Sequence, residues 1–355
     1  MHNNAQVGFH TNLVNNGTFN NNLGSVGFYH DNEIISVSGT NKPVFNDLEI
    51  DVTNNLQLFV SLGVTNELTF FNGKVITPKN NNSISLDFIN HDFYVGEDDF
   101  RHVDGYASVF GNEEFIFPIG DDDRLRPMII PNQQNNQYYR GAYFYENPET
   151  PSTFVNQFLT SQKQLSIENI SNREFWDLDG NSATQVTLTW DSFSSITSIS
   201  TNLDLLRVVG WSKIENQWVD LGNSNTQGNL NQGKITSAPF IPNNYTIITI
   251  GSSINNDLTK NENYLISPNG DNLNETLVIE EVERFEKNVL TIFNRWGNIV
   301  YKKENYKNDW NGISTGRITL DSESKLPVGT YFYTLKLGNS TNFTSLKKGW
   351  VYINR

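Results

Sequence analysis

The stretch PVFNDLEIDVTNNLQLFVSLGVTNELTFFNGKVIT, residues 43–77, carries short apolar runs separated by Asn-rich turns. Similar runs lie on both sides of it, and together they place strands at intervals of roughly twenty residues. This interval is typical of a β-solenoid, in which each strand stacks on the equivalent strand of the next turn. We therefore predict a β-helix-like solenoid over residues 1–110, with an ordinary β-sandwich with Asn-rich loops as the alternative.

Asparagine and glycine mark almost every predicted turn, because both residue types tolerate a positive φ. Stacked asparagine side chains are one way in which a coil satisfies the polar groups of its turns. The whole chain is predicted to be all-β. One segment, VNQFLTSQKQL at residues 155–165, is a candidate for a short helix.

Composition limits the classes of protein that the chain can belong to. Its 355 residues suit two or three domains, and its 37% hydrophobic content suits a packed core. The absence of cysteine excludes disulfides and thiolate metal sites. No run approaches the roughly 18 apolar residues of a membrane-spanning helix, so no transmembrane segment is predicted. Residues 1–10, MHNNAQVGFH, lack the basic and apolar regions of a signal peptide.

Charge is spread unevenly along the chain, whose formal net charge is −14. Residues 284–355 hold 12 Lys and Arg against 5 Asp and Glu, a net charge of +7, which leaves −21 for the rest. An acidic body argues against nucleic-acid binding, because phosphate contacts need a basic surface. The basic segment could suit an acidic partner surface, or it could be a scatter of solvated charges.

The sequence between residues 111 and 251 predicts a second β-sandwich. The runs VTLTW and RVVGW alternate apolar and polar residues, and the tight connection between Trp211 and Trp218 predicts a hairpin. These two tryptophans could stack on sugar rings, although aromatic residues of a hairpin more often pack against each other. The polar segment 252–263 lacks apolar periodicity and is predicted to be a linker.

The segment 264–355 has the most clearly marked strands. In GTYFYTLKLG, the side chains of Tyr331, Tyr333, Leu335 and Leu337 fall on one face of a strand, and those between them fall on the other. One face should pack against the core of the domain, and the other should be exposed to solvent. An Ig-like β-sandwich is predicted for this segment.

Ordered motifs within residues 264–355 resemble those of the gliding-motility-associated C-terminal domain, the type B sorting domain of type IX secretion substrates. They are SPNGDNLNETLVI (267–279), IFNRWGNIVY (292–301), DWNG (309–312), LPVGTYFYTLKL (326–337) and KKGWVYINR (347–355). The first motif departs from the family where it reads Asp271-Asn272 and Asn274-Glu275. We expect its turns to survive, since Asn also tolerates a positive φ.

The resemblance implies a folded secretion signal that is read after export to the periplasm. It implies as partners, through residues 264–355, the outer-membrane secretion translocon and a PorP/SprF-like barrel protein. The protein would then lie at the cell surface or outside the cell. We expect the signal peptide needed for this route to be missing from this chain, and its first residue to be a processed or engineered start.

A further hypothesis concerns the residues that the secretion partner contacts. Aromatic and Arg side chains usually supply most of the energy of an interface, and exposed cations steer an acidic partner toward it. Because the chain ends at Arg355, the partner could also grip its terminus or pair with a strand edge. The residues predicted to bind are Arg295, Trp296, Gly297, Lys347, Lys348, Gly349, Trp350, Tyr352 and Arg355. The alternative is that Trp296, Trp350 and Tyr352 belong to the core.

No catalytic constellation is apparent in the body of the chain. The acidic runs Asp98-Asp99, Glu113-Glu114 and Asp121–Asp123 are neighbours in sequence, and neighbours on a strand point to opposite faces. The five histidines lack metal-ligand spacing, and no nucleophile elbow is present. We therefore predict a protein without enzymatic activity, cofactor or metal.

The predicted task is adhesion or gliding motility, as a cell-surface component or as an accessory subunit of a larger surface adhesin. A secreted enzyme that acts on polysaccharide stays open, and convergent carboxylates in a groove would favour it. A carbohydrate-binding or protein-binding module is the other alternative.

Overall fold

The computed structural model is all-β, with 48% strand and 4% helix, as the sequence predicts. Its backbone contacts divide the chain into two compact units, Met1–Ser253 and Ile254–Arg355. None of the helices among the described residues is long and apolar enough to cross a membrane. The residues that the structure describes are 4–19, 23–89, 93–254, 262–280, 282–285, 287–315, 325–338 and 343–355.

The strands of the first unit range in length from 2 to 11 residues. In chain order they are β1 (Val7–Phe9), β2 (Leu13–Asn15), β3 (Ser25–His30), β4 (Ile35–Gly39), β5 (Val44–Val52), β6 (Leu56–Leu58), β7 (Leu62–Asn72), β8 (Val75–Ile76), β9 (Leu86–Ile89), β10 (Tyr94–Val95), β11 (Val103–Asp104), β12 (Ala107–Gly111), β13 (Phe115–Phe117), β14 (Ile119–Gly120), β15 (Met128–Ile130), β16 (Gln137–Phe144), β17 (Ile167–Ile170), β18 (Phe175–Asp179), β19 (Thr187–Trp190), β20 (Leu206–Ser212), β21 (Trp218–Asp220), β22 (Asn225–Asn229), β23 (Gln232–Thr236) and β24 (Tyr245–Ser253).

The second unit continues with fewer strands. They are β25 (Tyr264–Ile266), β26 (Lys287–Phe293), β27 (Ile299–Glu304), β28 (Gly329–Gly338) and β29 (Phe343–Ile353). The described helices of the chain are single 3₁₀ turns at Ser192–Ser194, Ile196–Ser198, Leu203–Leu205, Pro242–Asn244 and Val282–Arg284.

The predicted solenoid is confirmed as a coil of about five turns. Strands β1, β3, β5, β7, β9 and β12 pair in parallel to form one wall, and β2, β4, β6, β8, β11 and β14 form the other. Val26 pairs with Leu48, and Leu48 with Leu68, so equivalent positions lie 22 and 20 residues apart. All three side chains are buried, because alternate residues of each strand point into the coil.

Asparagine side chains tie successive turns of the coil together. Asn16 Oδ1 accepts a hydrogen bond from the backbone N–H of Thr40 at 3.1 Å, and Asn55 Oδ1 accepts one from Lys74 at 2.8 Å. Each bond joins one turn to the next. These two bonds run from side chain to backbone, whereas Asn66 Nδ2 donates to Asp47 Oδ1 and Asn72 Nδ2 donates to Thr53 Oγ1 of the preceding turn.

The main sheet changes direction at β12. This strand pairs in parallel with β9 on one side and antiparallel with β16 on the other, and β18, β24, β20 and β21 continue the antiparallel part. A second antiparallel sheet, in the order β13-β15-β19-β23-β22, faces it across a shared apolar core. The sandwich predicted for this region is present. The main sheet and its core are continuous across residue 110. The domain boundary placed there, between residues 1–110 and 111–251, stays a prediction.

The helix predicted at residues 155–165 is wrong, because this segment forms turns. Its backbone bonds to other parts of the chain: Phe158 N–H donates to Pro148, and Gln164 N–H donates to Trp218 in β21. Phe158 and the half-buried Phe154 cover the outer face of the main sheet. Residues 252 and 253 of the predicted linker belong to β24, and 255–261 lie outside the described residues.

The described strands of the second unit form one sheet in the order β25-β29-β28-β26-β27. Strand β25 runs parallel to β29, and the other pairs are antiparallel. Tyr331, Tyr333, Leu335 and Leu337 are buried, as their alternation predicted. The Ig-like arrangement stays a prediction, because the described residues of this unit show this single sheet.

Candidate functional site

Acidic side chains of the first unit converge at one point. Carboxylate oxygens of Asp104, Asp121 and Asp122 lie within 4.8 Å of one another. The ammonium of Lys79 lies 2.8 Å from Asp104 and also bonds to Asp121. Burial opposes the charge on Lys79, but the two carboxylates raise its pKa above the usual value. The cluster is therefore an ion-pair network with a lysine already at its centre.

The other acidic runs are exposed or partly exposed. Asp98 forms an ion pair with Arg101 at 2.7 Å, and the hydrogen bond from Arg101 is the main cause of the lowered pKa of Asp98. Glu113 and Glu114 lie at the surface. Asp104 had no signal in the sequence, because only the coil brings β11 beside the loop after β14.

A buried charged network inside the sandwich had no signal in the sequence. Glu174 accepts a hydrogen bond from the Tyr143 hydroxyl at 2.6 Å and lies 3.5 Å from Arg126. Arg126 also contacts Asp191 at 2.8 Å. Burial raises the pKa of Glu174, while the charge of Arg126 lowers it. Each buried charge therefore has a partner of opposite sign, as structural networks require.

Asp177 is the other buried carboxyl of the main sheet. It accepts a hydrogen bond from the Tyr106 hydroxyl at 2.7 Å. Burial, together with the nearby charge of Asp179, raises the pKa of Asp177 to about 7, although the Tyr106 bond acts in the opposite direction. The side chain therefore gains or loses its proton near neutral pH.

Trp211 and Trp218 form the predicted hairpin and pack against each other. Strands β20 and β21 pair them directly, with ring centroids 5.7 Å apart at right angles to each other. Both are buried, so the packing interpretation is confirmed. Of the histidines, His2 and His91 lie outside the described residues. His102 is fully buried, with Nδ1 3.1 Å from the Asp98 carbonyl oxygen.

In the second unit, a closed turn presents Trp296 to solvent. Asn294 Oδ1 accepts hydrogen bonds from the backbone N–H groups of Trp296 and Asn298, both at 3.0 Å. Gly297 has φ 81°, which a glycine adopts without strain. Trp296 is 71% exposed. The alternative that it belongs to the core is therefore wrong.

A second wall stands opposite this turn. The Tyr331 hydroxyl donates to the carbonyl oxygen of Pro327 at 3.0 Å, and Leu326 N–H donates to Gly312 at 2.9 Å. These bonds fix the entry into β28 and leave Val328 52% exposed. The two walls enclose a groove of about 530 Å³, here called the Trp296 groove. Its lining residues are Asn294, Arg295, Trp296, Ile299, Val300, Ser314, Leu326, Pro327, Val328, Gly329, Thr330, Tyr331 and Phe332.

Apolar side chains continue from the groove across the outer face of the sheet. Ile299 pairs with Phe293, Phe293 with Phe332, and Phe332 with Trp350, which forms one row over β27, β26, β28 and β29. Phe332 is 48% exposed and Trp350 is 41% exposed. Trp350 is therefore not a core residue. The sequence placed Phe332 on the water-facing side but did not identify it as part of a site.

The predicted cations lie in different surroundings. Arg295 stacks on Trp296, with its guanidinium 4.4 Å from the ring centroid. Lys348 is exposed and pairs with Thr334 on the same face as Trp350. Lys347 instead shares the inner face with Leu335, where its side chain is 12% exposed and lies 3.8 Å from Glu262.

The remaining predicted residues lie at the edge of this surface. Arg355 Nη2 donates to the carbonyl oxygen of Gly312 at 3.4 Å. Burial raises the pKa of Tyr331, and the charges of Arg355 and Arg295 both lower it. Tyr352 is half-buried and pairs with Thr330. Gly349 faces inward, where an added Cβ would lie 2.2 Å from the Glu262 carbonyl oxygen. Its role in the fold is close packing.

The other motifs build the core of the unit. Trp310 is 1% exposed, its ring lies 5.7 Å from that of Tyr301, and its indole N–H donates to the Ile313 carbonyl oxygen at 2.9 Å. Asn272 and Asn274 have φ 66° and 52°, so the expected positive φ is confirmed at both positions. The motifs therefore form one folded arrangement around Trp310.

Comparison with known protein families finds a match that falls in the second unit. Residues 259–353 match the CHU_C type IX secretion signal domain. The chain carries a type IX secretion signal domain. Its presence implies interaction with the type IX secretion machinery and export to the cell surface or the extracellular space. No curated protein and no solved structure matches the chain.

Proposed function

We propose that this type IX secretion substrate is a non-enzymatic surface protein that serves adhesion or gliding motility, either directly or as an accessory subunit of a larger adhesin. The observation that carries the proposal is the secretion signal domain at residues 259–353, joined in one chain to a coil of about five turns. Coils of this kind offer long, regular faces that suit binding.

The charged groups of the first unit support a non-enzymatic role. Of the three carboxylates that converge, Asp104 and Asp121 are both bound by Lys79. Glu174 is 1% exposed and is held by Tyr143 and Arg126. A catalytic carboxylate must reach its substrate, and these groups are already committed to protein partners.

The second unit would bind the outer-membrane translocon together with a PorP/SprF-like barrel protein. Trp296, Trp350 and Arg295 lie exposed on one side of the sheet, where a partner can reach them. Aromatic and Arg side chains in such positions are the usual anchors of interfaces.

Deleting residues 262–355 in cells that have the secretion system tests the export route. The truncated protein should stay in the periplasm, whereas the full chain should reach the surface and be accessible to added protease. Surface exposure of the truncated protein would contradict the route.

A deletion strain tests the task of the exported protein. We expect weaker attachment or gliding and normal breakdown of polysaccharides, with co-purification of a larger surface protein from the parent strain. A polysaccharide-cleaving activity of the purified chain that is lost in Asp121→Asn would favour the enzyme alternative instead.

A further inference from the structure

The Trp296 groove combines exposed apolar side chains with a fixed backbone. Its rim carries Trp296, Val328, Ile299 and Phe332, whose exposed fractions range from 44% to 71%. Isolated exposed apolar residues are common on proteins, but here they surround a single concave site and continue into a row that ends at Trp350. This arrangement favours a site that another molecule covers.

Both walls of the groove are held in place before any partner arrives. Asn294 closes the first wall through bonds to two backbone N–H groups, and the Tyr331 hydroxyl closes the second through Pro327. A preformed site binds with a smaller loss of conformational entropy than a flexible one. The volume of about 530 Å³ lies within the range of ligand sites and suits a short peptide segment.

The charged residues in and near the groove favour a partner segment of opposite charge. Among the described residues that line it, Arg295 is charged and none is Asp or Glu. Arg355, like Arg295, lies close enough to Tyr331 for its charge to lower the pKa of the hydroxyl. Lys348 lies on the outer face beside the apolar row. A carboxylate near these cations is favoured, and a basic segment is repelled.

We propose that the Trp296 groove binds an extended, acidic segment of the barrel partner of the secretion machinery. One apolar side chain of that segment enters between Trp296 and Val328, and its Asp or Glu residues contact Arg295 and Lys348. The proposal rests on the proposed function, since it names how the secretion signal domain is recognised. It assigns recognition to the outer face of the sheet, and it leaves Lys347 to its bond with Glu262.

Photo-crosslinking in exporting cells tests the occupant directly. The full chain carries p-benzoylphenylalanine in place of Val328, or in place of Leu346 as a control on the same face but outside the groove. Crosslinks from position 328 should map by mass spectrometry to a segment of the barrel protein that contains Asp or Glu beside an apolar residue. Crosslinks to a basic segment or to lipid, or equal crosslinking from position 346, would overturn the proposal.

Matched substitutions measure the contribution of each wall. Trp296→Ala should weaken binding of the full chain to the purified barrel protein by about 30-fold or more, as for a central aromatic anchor. Arg295→Glu should weaken it by about tenfold and reduce its salt dependence. The controls Leu346→Ala and Lys302→Glu should each change it by less than about twofold.

The outcomes separate this site from the export route itself. If Trp296→Ala and Val328→Ser both bind and export normally while deletion of residues 262–355 abolishes export, the groove is not the recognition site but the proposed route stands. If the deletion has no effect on export, the route fails. Circular dichroism of the purified variants shows whether a loss of binding comes from unfolding.

Discussion

Trp296 and Trp310 show at the scale of single residues what the sequence could and could not predict. Each is an aromatic residue in a motif with a nearby glycine, and the motifs themselves look alike. The first is 71% exposed and the second 1% exposed. The difference depends on contacts between distant segments, such as the bond from Leu277 N–H to the Trp310 carbonyl oxygen, which no local pattern reveals.

The two tryptophans should therefore respond oppositely to truncation. Trp310→Ala removes a fully buried ring and should lower the free energy of unfolding by about 3–5 kcal/mol. Trp296→Ala should change it by less than about 0.5 kcal/mol, since its side chain is in water. Denaturant unfolding of the two variants checks this, and equal losses would contradict the assignment of core and surface.

The pKa of Asp177 gives a prediction on the dependence of stability on pH. Its folded pKa of about 7 lies above the usual unfolded value near 3.9. The folded state thus holds the proton between these two values, so Asp177 makes the protein less stable as pH rises from about 4 to 7. Asp177→Asn removes this titration and keeps an oxygen that can accept from Tyr106.

We expect the wild-type protein to lose about 2–3 kcal/mol more than Asp177→Asn between pH 5 and pH 8.5. Urea unfolding at the two pH values measures the difference. The exposed Asp31 supplies the control, since Asp31→Asn should follow the wild-type protein. Parallel pH curves for wild type and Asp177→Asn would show that the buried carboxyl keeps its charge.

Individual elements were predicted where their own pattern sufficed. The coil was visible because its turns repeat, and β28 was visible because its residues alternate. The segment 155–165 was misread because its backbone bonds go to Pro148 and to β21 rather than along a helix. The direction of pairing at β12 could not be predicted, because strand patterns do not distinguish a parallel neighbour from an antiparallel one.

Asn55 supports one turn of the coil in two ways, which substitutions can separate. Its φ is 75°, and its side chain accepts the Lys74 N–H. Asn55→Gly loses the hydrogen bond and should cost about 1 kcal/mol. Asn55→Ala loses the same bond and also places in the left-handed region a residue that tolerates it less well than Asn or Gly. It should therefore cost about 1 kcal/mol more than Asn55→Gly. Unfolding free energies measured by denaturant would contradict this if Ala were tolerated better than Gly.

For the whole molecule, the two compact units have separate apolar cores. We expect residues 262–355 to fold alone, because their buried aromatic residues close a core without the first unit. Expressed alone, they should show dispersed amide resonances and a cooperative thermal transition. A broad transition without dispersed resonances would show that the unit depends on the rest of the chain.

The passage from parallel to antiparallel pairing at β12 also bears on self-association. A parallel coil ends in a strand whose free N–H and C=O groups can recruit a second coil, and growth from such an end produces fibres. Here β16 occupies that edge of β12. The paired residues extend from Ala107 opposite Gly141 to Gly111 opposite Gln137. The antiparallel sheet therefore caps this edge of the coil and blocks polymerisation by strand pairing at β12.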